Sequence, residues 1–284
     1  RGKMSDVKDQ VRQFYDQIGW QIESDGFYQN ARYEDLRPVA RDYIHRCHMR
    51  VKRHLAPGGR FLLDAGSGPV QYPEYLTYSE GYRYRVCLDI SIVALQEARK
   101  RLGARGLYVV ADAAHLPFKA EAFEGAVSLH TFHHLPEEDQ ENAYLGLMRV
   151  LAPGARAVVV NGWTDSPLMR RMQWLVNLME RLSGMVVAKR KNEVQLEKKV
   201  SPAAAKPSGT FVKKLDAAWL HQMLQGKVNF EIRVWRSLSV RFTRAVMHTA
   251  TGGGIWLKLV FWLEERFPRF FGENGQYPLI ILKK

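Results

Sequence analysis

The chain has 284 residues, 46% of them hydrophobic and 25% charged, which excludes a wholly disordered or collagen-like protein and is long enough for one large α/β domain with elaborations. Its two cysteines, Cys47 and Cys87, lie in apolar-patterned segments, which excludes a disulfide scaffold and a cysteine-built zinc site and suits a reducing cytoplasm. The net charge of +13 invites nucleic acid or an anionic membrane surface, but eight basic residues against Glu193 and Glu197 fall between Lys189 and Lys214, so much of the excess is local.

In chain order, residues 5–55 read as two or three helical pieces broken at Gly19 and Gly26. No leader-like segment is read at the start, and the expectation is a soluble protein. From Phe61 short apolar runs at 61–65, 84–88, 107–111, 126–129 and 155–160 alternate with helical periodicity, the pattern of βαβ units and a parallel sheet. Ser91 is placed to cap a helix with Ile92, Leu95, Ala98 and Leu102 on one stripe, ended by Gly103. Pro136, followed by Glu137, Glu138 and Asp139, starts another, which stops at Pro153-Gly154. Residues 167–182 are expected to form one amphipathic helix, and 189–214 a solvated, mobile basic loop, because the run 201–209 is too poor in apolar groups to order. A helix at 215–224, one or two strands at 230–247, a Trp- and Phe-rich helix at 254–267 and a last strand at 277–282 complete the reading. The run 255–263, interrupted by Lys258, is far shorter than the ~20 residues of a membrane span.

The first apolar run ends Asp64-Ala65-Gly66-Ser67-Gly68, an acid and a glycine turn that lets a ligand approach the backbone. A dinucleotide site would want a third glycine where Gln71 stands, so nicotinamide cofactors are disfavoured. The next two runs end in Asp89 and Asp112. A carboxylate at the second strand end can accept both hydroxyls of a ribose, and one at the third can accept from an adenine amino group.

These residues resemble the class I S-adenosylmethionine-dependent methyltransferases, with Asp64 to Gly68 similar to the first family motif, Leu88-Asp89-Ile90-Ser91 to the ribose-binding acid and Asp112-Ala113-Ala114-His115-Leu116-Pro117-Phe118 to the adenine side. The segment 123–135 is similar to the stretch after the fourth strand, and Arg149 to Ala155 to the turn before the fifth. By pattern the small-molecule branch that includes ubiquinone and menaquinone methylases is nearest. The resemblance implies a Rossmann-like α/β fold: a mostly parallel sheet with helices on both faces, an N-terminal helical lid over 1–44, a methyltransferase core over 45–163 and 215–284, a cap insertion over 164–214 with its basic loop, and an aromatic-rich helical insertion over 248–276. It implies S-adenosylmethionine as cofactor, held by Tyr15 from the lid together with Asp64, Gly66, Ser67, Gly68, Asp89, Ile90, Asp112, Ala113 and His130.

His130 and His133 are the candidate catalytic residues, either of them a proton acceptor for a hydroxyl substrate. No third ligand stands at metal-binding spacing, so no metal is expected. Trp174, Trp256 and Trp262 sit in Met- and aromatic-rich stripes read as the lining of a greasy substrate pocket or as a surface touching membrane. The expected activity is methyl transfer to a hydrophobic small molecule such as a phenol or quinone precursor, in the cytoplasm, with peripheral membrane contact and oligomeric state left open. Nucleic acid is disfavoured as a partner. The alternatives are an RNA or protein methyltransferase and a non-catalytic S-adenosylmethionine-binding subunit.

Overall fold

The computed structural model describes residues 34–182 and 215–284. The lid residue Tyr15 and the basic loop 189–214 lie outside them. Seven strands pair among the described residues: β1 (Gly59–Ala65), β2 (Tyr82–Asp89), β3 (Gly106–Val110), β4 (Phe123–Leu129), β5 (Leu151–Val160), β6 (Phe230–Arg236) and β7 (Tyr277–Lys283). They form one sheet in the order β3-β2-β1-β4-β5-β7-β6, in which β7 alone runs opposite to the other six. This is the expected Rossmann-like α/β sheet. Beside β1 the strand order reverses, and open α/β sheets bind ligands at the carboxyl ends of the strands flanking such a point.

Alternation along the central strands divides the core. Leu62, Val127, Val158 and Ile281 point into one layer, and Leu63, Ala126, Val159 and Ile280 into the other. The first layer is closed by α1 (Pro38–His54), whose stripe Ala40, Tyr43, Cys47 and Val51 is buried, and by α9 (Gly253–Arg266) through Leu257 and Phe261. The second is closed by α4 (Glu137–Val150) and α7 (Ala217–Leu224). Between α1 and α4 come α2 (Pro73–Thr77) and α3 (Ile92–Leu102). As expected, Ser91 Oγ caps α3 by accepting from Ala94 N at 3.1 Å, and Gly103 ends it with φ +54°. After β5 come α5 (Pro167–Arg171) and α6, residues 173–182. Beyond β6 lies α8 (Val240–Val246), and after α9 comes α10 (Pro268–Asn274).

Several expectations need correction. The segment 230–247 is one strand and one helix, because Ser239 Oγ accepts from Phe242 N and starts α8. The stretch 167–182 is interrupted at Met172. The lid boundary at 44 falls inside α1, a continuous helix packed on the core. The 248–276 segment is helical as expected, but part of it belongs to the core. Leu257 and Phe261 are buried, and a Cβ on Gly272 would come within 2.5 Å of the Arg233 backbone. The two ends of 164–214 do meet: Leu215 N donates to Thr164 Oγ1 at 2.6 Å and Thr164 N to the Leu215 carbonyl at 3.0 Å.

Helices α1 and α9 are locked together by buried charge. Glu264 accepts from Tyr43 Oη at 2.7 Å, Arg50 Nη1 at 2.9 Å, and Ser237 N and Oγ at 2.8 and 2.6 Å. Arg50 Nη1 also donates to the Trp235 carbonyl at 2.8 Å. Removing one member of such a buried pair strands the other, at a cost of about 3–5 kcal/mol. Arg50→Ala is therefore expected to lower stability to urea by that amount, whereas Arg53→Ala, at the exposed outer edge, should change it by less than about 1 kcal/mol.

Candidate active site

The turn after β1 is built by its neighbours. Gly66 N and Ser67 N both donate to the Leu88 carbonyl, at 2.7 and 3.1 Å, and Gly68 N donates to Asp89 Oδ2 at 2.8 Å. Asp89 Oδ1 accepts from Ser91 N at 2.9 Å, so one carboxylate ties the glycine turn to the start of α3. Gly66 and Gly68 have φ of +75° and +54°. At Gly66 the glycine serves packing as well as ligand approach, since an added Cβ would lie 2.2 Å from the Thr131 side chain. Val70 also has positive φ, +53°, a region that β-branched residues rarely enter. Arg101 Nη1 holds it by donating to the Val70 and Gln71 carbonyls at 3.0 and 2.8 Å.

Asp112 stands at the next strand end, where Oδ1 accepts from Ala114 N at 2.9 Å and His115 Nδ1 lies 3.3 Å from Oδ2. Asp89, Ile90 and Asp112 are partly exposed, whereas Ala113 is buried in the second core layer. These groups suit a ribose and an adenine: an ionised carboxylate is an acceptor-only group matched to hydroxyl and amino donors. Gln71 Oε1, at the end of the glycine turn, is buried without a hydrogen-bond partner among the described residues, as an acceptor facing a ligand donor would be.

Asp64 departs from its expected cofactor-binding place. It is buried in an ion pair with Arg85, whose Nε and Nη2 donate to Asp64 Oδ2 at 3.0 and 2.5 Å while Nη1 donates to the Tyr75 carbonyl. The acid anchors β1 to β2 beneath the turn, and its role is positional.

His130 follows β4 with φ +56°, its amide donating to the Val160 carbonyl at 2.7 Å. Its ring meets Trp235 edge-on at 4.9 Å and Tyr277 at 5.8 Å, and His133 lies 6.2 Å away. Enclosure pushes His130 down to about 3, with Glu34 opposing and Arg236 and His48 reinforcing the shift. Burial, then His134 and His130, likewise hold His133 well below its usual value. Both shifts make the rings weaker bases than a free imidazole, and the place of His130 against Trp235 and Tyr277 suits a wall and hydrogen-bonding role.

Sequence reasoning missed the charged cluster behind this wall. His48, on the buried face of α1, stacks on Trp235 at 5.2 Å and lies 3.6 Å from Glu74 and 4.0 Å from Glu34. Burial alone would lower His48, but the two carboxylates outweigh it and raise it. Burial would raise Glu34, but Arg236, paired directly with it, and His48 hold it down at about 2. Arg236 lies over the Tyr277 ring at 4.5 Å, and its Nε has no hydrogen-bond partner among the described residues. The available clue was His48 falling on the stripe of Tyr43, Ile44, Cys47 and Val51. The thiols take no part, since burial pushes both Cys47 and Cys87 up to about 12.

Trp174, Trp256 and Trp262 are 66%, 56% and 60% exposed, so they do not line a pocket as expected. Among the described residues no group of three potential ligands is placed to hold a metal.

The histidines set the response to acid. Groups whose folded values are depressed, His130 to about 3 and His54 and His134 to about 4, refuse protons that the unfolded chain takes up near 6.5. Their effect is a loss of stability as pH falls below about 6.5. His48 acts oppositely, contributing stability at low pH that is lost as pH rises through its raised value. The stability difference between pH 7 and pH 5, measured by urea unfolding, should shrink in His130→Asn, which keeps a side chain tolerant of positive φ.

Residues 63–159 match a family of methyltransferase domains. Methyltransferase GfsG of Streptomyces halstedii is 30% identical over 116 residues, 38% of this chain and 41% of that protein, so the match spans less than half of the relative. Among solved structures, phosphoethanolamine N-methyltransferase 1 of Haemonchus contortus superposes with a TM-score of 0.59 at 13% identity, covering 99% of this chain and 50% of that one. The [4+2]-cyclase SpnF superposes with 0.53 at 18% identity over 98% and 97% of the two chains. The 1,6-didemethyltoxoflavin-N1-methyltransferase of Burkholderia thailandensis gives 0.50 at 14% identity over 100% and 91%. The strand-end acids and the glycine turn lie within the stretch 63–159 that matches the methyltransferase-domain family, and the sheet that carries them has the Rossmann-like α/β fold shared with these structures.

Proposed function

We propose that the protein transfers a methyl group from S-adenosylmethionine to a hydrophobic small molecule. The observation that carries the reading is the Asp89 carboxylate bridging Gly68 N and Ser91 N at the strand end beside the point where strand order reverses. When bound there, S-adenosylmethionine supplies an electrophilic methyl on a sulfonium. The chain's part is to hold the two reactants in line at roughly 3–3.5 Å and exclude water, an effect worth ~7–11 kcal/mol when alignment is good. Gly66, Ser67 and Gly68 would bring backbone to the cofactor, Asp89 would take its ribose and Asp112 its adenine, with Ile90 and Ala113 packing beside them. His130 would form the wall between cofactor and acceptor.

His130 and Tyr277, partly exposed beside the buried Trp235, present ring surface that suits a flat apolar acceptor. An O, N or C nucleophile placed against His130 would donate an electron pair to the methyl carbon as the carbon–sulfur bond breaks, S-adenosylhomocysteine would leave with the sulfur's pair, and the nucleophile's proton would pass to bulk water.

Calorimetric titration with S-adenosylmethionine tests the assignment. Asp89→Ala should weaken binding about tenfold or more through loss of charge-assisted hydrogen bonds, with Asp89→Asn intermediate; unchanged affinity in both would overturn the site. Labelled methyl transfer into lipophilic extracts should vary only a few-fold between about 50 and 200 mM salt, whereas an enzyme gripping six to ten phosphates would lose about 10³–10⁵ in affinity.

A further inference from the structure

Helix α9 turns an apolar face outward. Leu257, Phe261 and Glu264 are buried, while Ile255, Trp256, Leu259 and Trp262 are exposed, Ile255 to 75%. At about 100° per residue Ile255, Leu259 and Trp262 fall on one line opposite the buried stripe, the side where a surface helix normally carries polar groups. Contiguous exposed apolar area of this kind marks an interaction surface.

Charge identifies the partner. The helix has two acids, and both are engaged by arginines of α1. Glu264 is buried on Arg50, and Glu265 accepts from Arg50 Nε at 2.9 Å and Arg53 Nη1 at 2.7 Å. Lys258 and Arg266 are exposed beside the apolar line. The outward side is therefore aliphatic and indole, bordered by cations, on a chain of net charge +13.

We propose that α9 seats this face in the interface of an anionic phospholipid bilayer. Indole and aliphatic groups enter the headgroup boundary while flanking Lys and Arg meet lipid phosphate and carboxylate. No helix among the described residues is long and apolar enough to cross a membrane, so the contact is in-plane. A second copy of the chain fits less well, because two such surfaces carry like charge. The proposal is independent of which acceptor is methylated.

The test is cosedimentation of the full chain with phosphatidylcholine vesicles, with and without phosphatidylserine. Binding should be about tenfold or more stronger with phosphatidylserine. It should fall about tenfold in the double variant Trp256→Ser, Trp262→Ser, and several-fold in Lys258→Gln, Arg266→Gln. These side chains are exposed, and an unchanged melting temperature and S-adenosylmethionine affinity would show that the variants are folded. Wild-type binding equally weak to both vesicles would overturn the proposal. So would phosphatidylserine binding retained by the tryptophan variant, or a dimer in sedimentation that this variant abolishes.

Discussion

The glycine turn after β1 keeps its shape because β2 holds it. The Leu88 carbonyl receives the first two amides of the turn and the Asp89 carboxylate the third, so its geometry follows from the parallel register that sets Ala65 opposite Leu88. Two further elements close on it. Thr131, just past β4, fills the space a side chain at Gly66 would need and donates to the Gly66 carbonyl, while Arg101 from α3 caps the carbonyls of Val70 and Gln71. A left-handed valine costs on the order of 1–3 kcal/mol and persists only where its surroundings over-determine it. Three elements converging on six residues do so. The turn is thus already shaped by folding, before any ligand meets it.

Beneath the turn, the pairing of Asp64 with Arg85 fixes the same two strands from inside. Acids close both β1 and β2 and are indistinguishable by sequence pattern, yet the structure divides their tasks. Asp64 points into the protein and meets an arginine two positions before Cys87, whereas Asp89 stays partly exposed on the main-chain amides. Sequence pattern located both strand ends correctly, because buried parallel strands read as apolar runs and their ends as the first acid after the run. It could not assign the face of each carboxylate. The cross-strand partner of Asp64 lies 21 residues away, and its identity depends on register.

The same limit explains the rest of the site. Helices α3, α4 and α7 were legible because capping residues and apolar spacing are local properties. The cluster of Glu34, His48, Glu74 and Arg236 was not, because charged residues read as surface, and these are brought together from α1, α2, β6 and the chain before α1. At His130 the sequence shows an imidazole at a strand end but not what surrounds it. A histidine in solution is half-neutral near physiological pH, whereas one enclosed by Trp235 and Tyr277 is pinned neutral. Methyl transfer asks chiefly for alignment, so a neutral wall is compatible with it. The fold does not settle the reaction by itself: a [4+2]-cyclase shares it across nearly its whole length.

The balance of charge across the molecule bears on what the outer surface meets. Among the described residues the buried ionic groups include three arginines, Arg50, Arg85 and Arg236, against five acids, Glu34, Asp35, Asp64, Asp139 and Glu264. Among these residues the buried set holds more acid than arginine, which leaves their exposed part the more cationic. Attraction of anionic surfaces begins at long range but is screened beyond about 10 Å at 0.1 M salt. Within that distance short-range contacts decide what stays bound. Among the described residues the most exposed large apolar side chains, Ile255, Trp174 and Trp262, offer apolar burial there. Positive charge brings the partner close and the apolar groups select it, a division of labour that favours an anionic partner with an accessible apolar layer over a polyanion alone.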